Sequence, residues 1–212
     1  MLKLNISTFK SITTKRKLFS AIASIFDPLG ILSPSTIRLK VKLQGLWRDN
    51  VSCDDPIPKT ILNSLEEFAS QSEVLKSIEI PRFLKGHVKV DSRIDMHGYC
   101  DGSGKAYSAV VYLRIIARYK DAGKVVVVFV ASKTRVNPIE PVTFPRIEMC
   151  SALLLARLSA SILKTLPIQI NGVYLWSDSQ IVLSWIHLPP KKGNQFVLNR
   201  VTQIKSLVPQ VQ

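Results

Sequence analysis

Three carboxylates stand where strands and helices tend to deliver side chains to an edge: Asp101, Glu148 and Asp178. Asp101 closes the stretch Met96-His97-Gly98-Tyr99-Cys100-Asp101-Gly102-Ser103, which reads as a strand that stops at an acid and turns. Val173-Tyr174-Leu175-Trp176-Ser177-Asp178-Ser179-Gln180 repeats that arrangement. Between them, Phe144-Pro145-Arg146-Ile147-Glu148 opens a long apolar-periodic helix with an acid in its first turn. Three acids converging at one sheet edge would bind hard divalent cations, which often serve phosphodiester chemistry. Each acid alone has a plainer reading. An aspartate at a strand end is most often a turn residue or a cap, and Glu148 would complement the helix dipole. Context favours chemistry. Gly102 and Gly104 follow Asp101 and let a backbone or substrate approach closely. Ser177 and Ser179 frame Asp178 with short hydroxyls suited to capping and phosphate contact. Glu148 falls in line with Ala152, Leu155 and Ser159, off the main core stripe, where it can face the sheet edge.

The elements that must position these acids come in two blocks. Residues 15–90 read as mostly helical. A first helix over about Lys17–Phe26 ends at Asp27-Pro28-Leu29-Gly30, a turn that proline and glycine dictate. Ser33-Pro34 reads as an N-cap with proline in the first turn of a second helix. Cys53-Asp54-Asp55-Pro56 is a loop, and Ile61, Leu62, Leu65, Phe68 and Leu75 mark a third amphipathic helix. Ile78-Glu79-Ile80-Pro81-Arg82 is an extended exit, and Lys85-Gly86-His87 reads as a linker. From about residue 91 the pattern turns to strands: Asp95–Asp101, Tyr107–Ile116 and Val125–Thr134. The unbroken apolar run of the third suggests a central, doubly covered position. A helix over Pro145–Thr165 carries Ile147, Cys150, Ser151, Leu154, Leu158 and Ile162 at core spacing. Asn171-Gly172 turns into a fourth strand, Val173–Ser177, and Ser179 caps a short helix through Ile186. Pro189-Pro190-Lys191-Lys192-Gly193 is a basic loop, and Phe196, Val197, Val201 and Ile204 imply a last helix. Three hairpin-like strands, then helix, strand and helix, make an α/β layer with a mixed sheet. Asp101 and Asp178 become neighbours if strands one to three are antiparallel and strand four runs parallel to strand one.

Composition narrows the partners. A net charge of +14 comes from fourteen basic against eight acidic side chains in residues 1–90 and fifteen against seven in 91–212. The excess covers both blocks rather than one tail, which favours a polyanionic partner with nucleic acid first, against a basic protein that has none. Cys53, Cys100 and Cys150 are odd in number and widely spaced, which argues against a zinc site or disulfide framework and for a reducing compartment. No apolar run approaches the roughly 20 residues needed to span a bilayer. The expectation is a soluble, intracellular protein, cytoplasmic or nuclear, with no membrane partner. His87, His97 and His187 show no ligand spacing, and Trp47, Trp176 and Trp185 read as core residues rather than base-stacking platforms.

Taken in order, several stretches resemble the polymerase polyprotein of BEL/Pao-type retrotransposons. They are Ala23-Ser24-Ile25-Phe26-Asp27-Pro28-Leu29-Gly30, Leu43-Gln44-Gly45-Leu46-Trp47, Ile80-Pro81-Arg82 and His97-Gly98-Tyr99-Cys100-Asp101. Ala106-Tyr107-Ser108-Ala109-Val110-Val111-Tyr112-Leu113-Arg114, Pro145-Arg146-Ile147-Glu148-Met149-Cys150, Trp176-Ser177-Asp178-Ser179-Gln180 and Asn199-Arg200-Val201 complete the set. The resemblance covers about residues 15–205. It implies a mostly helical reverse-transcriptase thumb or connection remnant over 1–90, then a ribonuclease H-like mixed sheet with flanking helices over 91–212. The implied activity is cleavage of RNA in RNA–DNA hybrids during reverse transcription. Asp101, Glu148 and Asp178 would be both catalytic and metal-binding, holding two Mg2+ ions, or Mn2+ in their place. Gly102, Ser103, Ser179, Gln180, Arg146 and Lys133 would meet nucleic acid, with Arg135, Lys191 and Lys192 as further phosphate contacts. The other implied partner is the upstream polymerase domain of the same polyprotein, which would carry its own aspartates, since no Tyr-x-Asp-Asp motif occurs here. Such sites use a fourth carboxylate on a late helix, yet no acid follows Asp178. The chain is therefore expected to be a C-terminally incomplete fragment. The alternative is an inactive relic that only binds nucleic acid or connects domains. An integrase or transposase shares the fold but expects the order Asp, Asp, Glu.

Overall fold

The computed structural model describes residues 12–72, 74, 92–117, 123–188 and 194–209. Leu75, the exit at 78–82, the Lys85-Gly86-His87 linker and the basic loop with Lys191 and Lys192 lie outside the described residues. The chain divides into two compact units, Met1–Arg82 and Phe83–Gln212.

Among the described residues, the first unit contains three helices: α1 (Lys15–Ala23), α2 (Ser33–Arg48) and α3 (Lys59–Ser72). Leu18 and Ala21 of α1, Leu39, Leu43 and Leu46 of α2 and Leu65 of α3 share one core with Ile12 and Ile57. Ser33 does not cap α2 but already lies within it, behind Leu32, whose amide donates to Asp27 Oδ2 at 2.8 Å. The Asp27-Pro28 turn thus supplies the acceptor at the helix entrance, leaving no capping task for Ser33. Trp47 is 51% exposed rather than core, and the nearly buried Lys15 ammonium lies 3.6 Å from its ring centroid. Lys15 Nζ also donates to the Val51 carbonyl at 2.6 Å, so the ring and the carbonyl together offset burial of the charge. In the Cys53–Pro56 loop, Asp54 takes a two-pronged hydrogen bond from Arg16 at 2.7 and 2.8 Å.

The second unit is a four-stranded mixed sheet with helices α4 (Phe144–Thr165), α5 (Gln180–His187) and α6 (Gln195–Leu207). Strands β1 (Arg93–Gly102), β2 (Ala106–Ile116) and β3 (Val125–Val136) form an antiparallel meander, and β4 (Gly172–Ser177) runs parallel to β1. The spatial order is β3-β2-β1-β4. β3 is therefore an edge strand, not a central one, and its Val125 and Val127 are 44 and 62% exposed. A run of β-branched residues satisfies strand propensity without specifying which positions are covered. Opposite the step from Val111 to Tyr112, β3 carries one extra residue, Val130, as a bulge.

Alternation along the strands gives the sheet two unlike sides. Ile94, Met96, Cys100, Ala109, Val111 and Leu113 form one core with Ala152, Leu155 and Ala156 of α4. Gly98 belongs to this side, where an added Cβ would lie 2.6 Å from a Leu155 methyl, so the helix packs close to β1. The line Ala152-Leu155-Ser159, expected off the core stripe, is buried. The reason is that α4 has two covered flanks, one against β1 and β2 and one against α6, so a single stripe does not describe it. On the other side Tyr174, His97, Trp176 and Tyr99 stack in sequence, with centroids 5.0, 6.4 and 6.5 Å apart. Trp176 is 51% exposed there, so it too departs from the expected core position. Among the described residues no helix is long and apolar enough to cross a membrane.

Candidate functional site: a carboxylate edge

Asp101 and Asp178 are set by the parallel pairing of β1 with β4. The register ends with Cys100 opposite Ser177, so each aspartate is the next residue along its own chain at the same end of the sheet. Both are exposed. The intervening thiol of Cys100 is pushed up, first by burial and further by the charges of Asp178 and Asp101, against lowering hydrogen bonds from Ser151 and Ser177.

Glu148 reaches this edge from α4. The helix begins at Phe144, so Glu148 is its fifth residue and there is no acid in the first turn, contrary to expectation. A favourable dipole interaction falls off within that turn and does not account for it. Contact with β1 is made through Gly102, where an added Cβ would meet Ile147 Cγ2 at 2.9 Å and the Glu148 amide nitrogen at 3.3 Å. The glycine allows close approach, and what approaches is the α4 backbone. Contact with β4 runs through Ser179, whose hydroxyl donates to Glu148 Oε2 at 2.7 Å and accepts from Val182 N at 3.2 Å as the cap of α5. Ser151 Oγ donates to the Glu148 carbonyl at 2.7 Å.

The other candidates fall around this edge with different surroundings. Ser103 turns β1 into β2, its hydroxyl donating to the Ala106 carbonyl at 2.9 Å. Gln180 opens α5 and is exposed. Arg146, exposed at the start of α4, sits 5.2 Å from the Phe196 ring. Lys133 and Arg135 pair with Ala109 and Tyr107, toward the end of the sheet where Asp101 pairs with Ser108. The hydroxyl link from Ser179 to Glu148 was not foreseen. Its signal in sequence was the acid flanked by serines, which gave the cap but not the second partner.

Chemically, the edge offers oxygen donors from three elements, the set that hard divalent cations prefer. Among the described residues no ion pair reaches Asp101, Glu148 or Asp178. The donor type and the shared end of the sheet fit such a cation. They are not drawn to a common point, for among the described residues no three His, Cys, Asp or Glu side chains are grouped to hold a metal ion. Asp101 and Asp178 are exposed and Glu148 is half-buried, and a cavity of about 300 Å³ behind Cys100 and Ser177 is lined by none of the three.

Similar folds occur in two structures of the foamy viral protease-reverse transcriptase. One, in complex with an RNA/DNA hybrid, has a TM-score of 0.52 at 14% identity over 98% of this chain and 25% of that one. The other, a dRH form with double-stranded DNA, has a TM-score of 0.51 at 15% identity over 98% of this chain and 33% of that one. The RNase H1 of the halophilic archaeon Halobacterium salinarum NRC-1 is 17% identical over 56% of this chain and 80% of its own, with a TM-score of 0.35, too low to bear on the fold. None of the curated proteins matches the sequence. The mixed sheet with its flanking helices is a ribonuclease H-like fold. Residues 14–179 match the family model of the Pao retrotransposon-like RNaseH-like domain, and the chain belongs to that family.

Proposed function

We propose that this chain hydrolyses the RNA strand of RNA–DNA hybrids in a reaction that requires divalent metal, two Mg2+ ions or Mn2+. The observation carrying this reading is the register that brings Asp101 and Asp178 to one end of the sheet, with Glu148 hydrogen-bonded to Ser179, the residue after Asp178. Asp101, Glu148 and Asp178 would hold the ions. When bound, such ions supply an activated water and stabilise the leaving 3′ oxygen. The chain's own residues bind and orient. Exposed Asp101 and Asp178 at the end of the sheet suit a long polymer passing across them. Lys133, Arg135 and Arg146 would meet phosphate, and Gly102, Ser103 and Gln180 the sugar 2′-hydroxyls that mark RNA. A similar fold in the foamy viral enzyme is recorded with an RNA/DNA hybrid, which supports that substrate class. Residues 1–90 would serve as the thumb- or connection-like segment, and an upstream polymerase domain would be the partner.

A second reading is favoured by the absence of a three-ligand group among the described residues. In it the chain binds nucleic acid, or connects domains, without cutting. Labelled hybrid incubated with Mg2+ separates the two. Metal-dependent scission by the wild type, lost in Asp101→Asn and Glu148→Gln while binding persists, supports hydrolysis. Binding without scission by the wild type supports the module, and undiminished scission by Asp101→Asn refutes the assignment of the acids.

A further inference from the structure

We propose that Ser179 is a positioning residue for Glu148, fixing its carboxylate in the orientation that receives a divalent cation. This rests on the metal-dependent reading above. Ser179 had been a candidate for phosphate contact, but its hydroxyl carries one proton, and that proton is given to Glu148 Oε2 at 2.7 Å. The residue is only 7% exposed, and its oxygen also accepts from Val182 N at 3.2 Å. It therefore has nothing left to donate to a phosphate. Its amide donates to Ser177 Oγ at 3.3 Å, which holds the backbone beside Asp178. The terminal torsion of a glutamate is broad and weakly preferred, so a fixed donor decides how the carboxylate faces. Ser151 holds the Glu148 backbone and Ser179 holds its head, and this pair turns a flexible acid into an oriented ligand.

The test uses the full 212-residue chain without nucleic acid, following Mg2+ binding by calorimetry and by the Mg2+-induced rise in melting temperature. Ser179→Thr keeps both the donor and the acceptor. Ser179→Gly removes the hydroxyl yet remains an acceptable N-cap, which separates loss of the Glu148 contact from loss of α5. The Gly variant should weaken Mg2+ binding about tenfold or more, while Thr stays within about twofold, as for other groups that orient metal ligands. The half-saturating Mg2+ for hybrid cleavage should move in parallel. Wild-type Mg2+ affinity in Ser179→Gly reduces Ser179 to a helix cap and overturns the proposal. A wild type that itself shows no Mg2+ response overturns the metal-dependent reading and this role together, and is recognised because every variant is then equally flat.

Discussion

The two ends of β1 carry aspartates in opposite circumstances. Asp95, on the side away from α4, is 2% exposed, and both its oxygens lie 3.1 Å from Arg93 Nε, with Arg114 Nη1 at 3.9 Å. Gly172 leaves it room, since an added Cβ there would come within 3.0 Å of Asp95 Oδ1. Six residues on, Asp101 is exposed, and its Oδ1 accepts from the adjacent Gly102 amide at 2.6 Å. One acid is already neutralised by cations of the chain. The other stands with two more acids and no basic partner among the described residues. Buried charge with matched partners belongs to the architecture, whereas clustered charge without them invites a cation from outside.

Breaking the site end should have the largest effect on function and the least on folding. Asp101→Asn should lower metal-dependent hybrid cleavage about a thousandfold, roughly 4 kcal/mol of barrier. Thermal unfolding without metal should be unchanged or slightly improved, since one repelling charge is gone. The opposite end should answer in reverse. Asp95→Ala should cost about 2 kcal/mol in chemical denaturation, a modest figure because both arginines left behind reach solvent. Equal instability of the two variants would erase the distinction between the ends. Gly102→Ala sharpens it further. The added methyl pushes on Ile147 and the α4 backbone, costing about 1 kcal/mol of stability, and cleavage should fall disproportionately because Glu148 moves with α4.

The smallest effect is a pH slope at His97, beside Asp95 and Arg114. Desolvation holds its folded-state pKa below the ordinary 6.5, against the raising influence of Asp95. The unfolded chain therefore binds more protons in the window between the two values, so stability declines as pH is lowered through 6.5 toward the folded pKa. Denaturation midpoints between pH 7 and 5 should show this decline, and His97→Gln should flatten it.

Much of the scaffold was legible because it depends on local patterns. Strand stops at Asp101 and Asp178, the Asn171-Gly172 turn and the Ser179 cap all rest on nearest-neighbour chemistry. The parallel pairing of β1 and β4 followed from needing the two aspartates together. What depends on third parties was not legible. Periodicity showed that α4 is amphipathic but could not show that it has two covered flanks, nor that Leu155 is the residue that meets Gly98 of β1. The valines of β3 looked central because a β-branched run carries no record of which neighbours are present. Trp176 is large and apolar, yet its place on the side away from α4 leaves it half exposed. At the site, the acids could be named from sequence, but the serine that grips Glu148 is 31 residues away, a distance no motif spans.

The bulge in β3 decides where positive charge is delivered. Before it, Val127 and Phe129 share a side with Arg114 and Tyr112; after it, Ser132 and Thr134 take over that side. Lys133 and Arg135, paired with Ala109 and Tyr107, are thereby turned toward the α4 flank. Were Val130 instead paired with Val111 in an unbroken ladder, Lys133 would stand opposite Ser108 and both cations would go out among the aromatic rings. One residue of reading frame within a strand thus decides which side of the sheet receives Lys133 and Arg135, with no change in its composition.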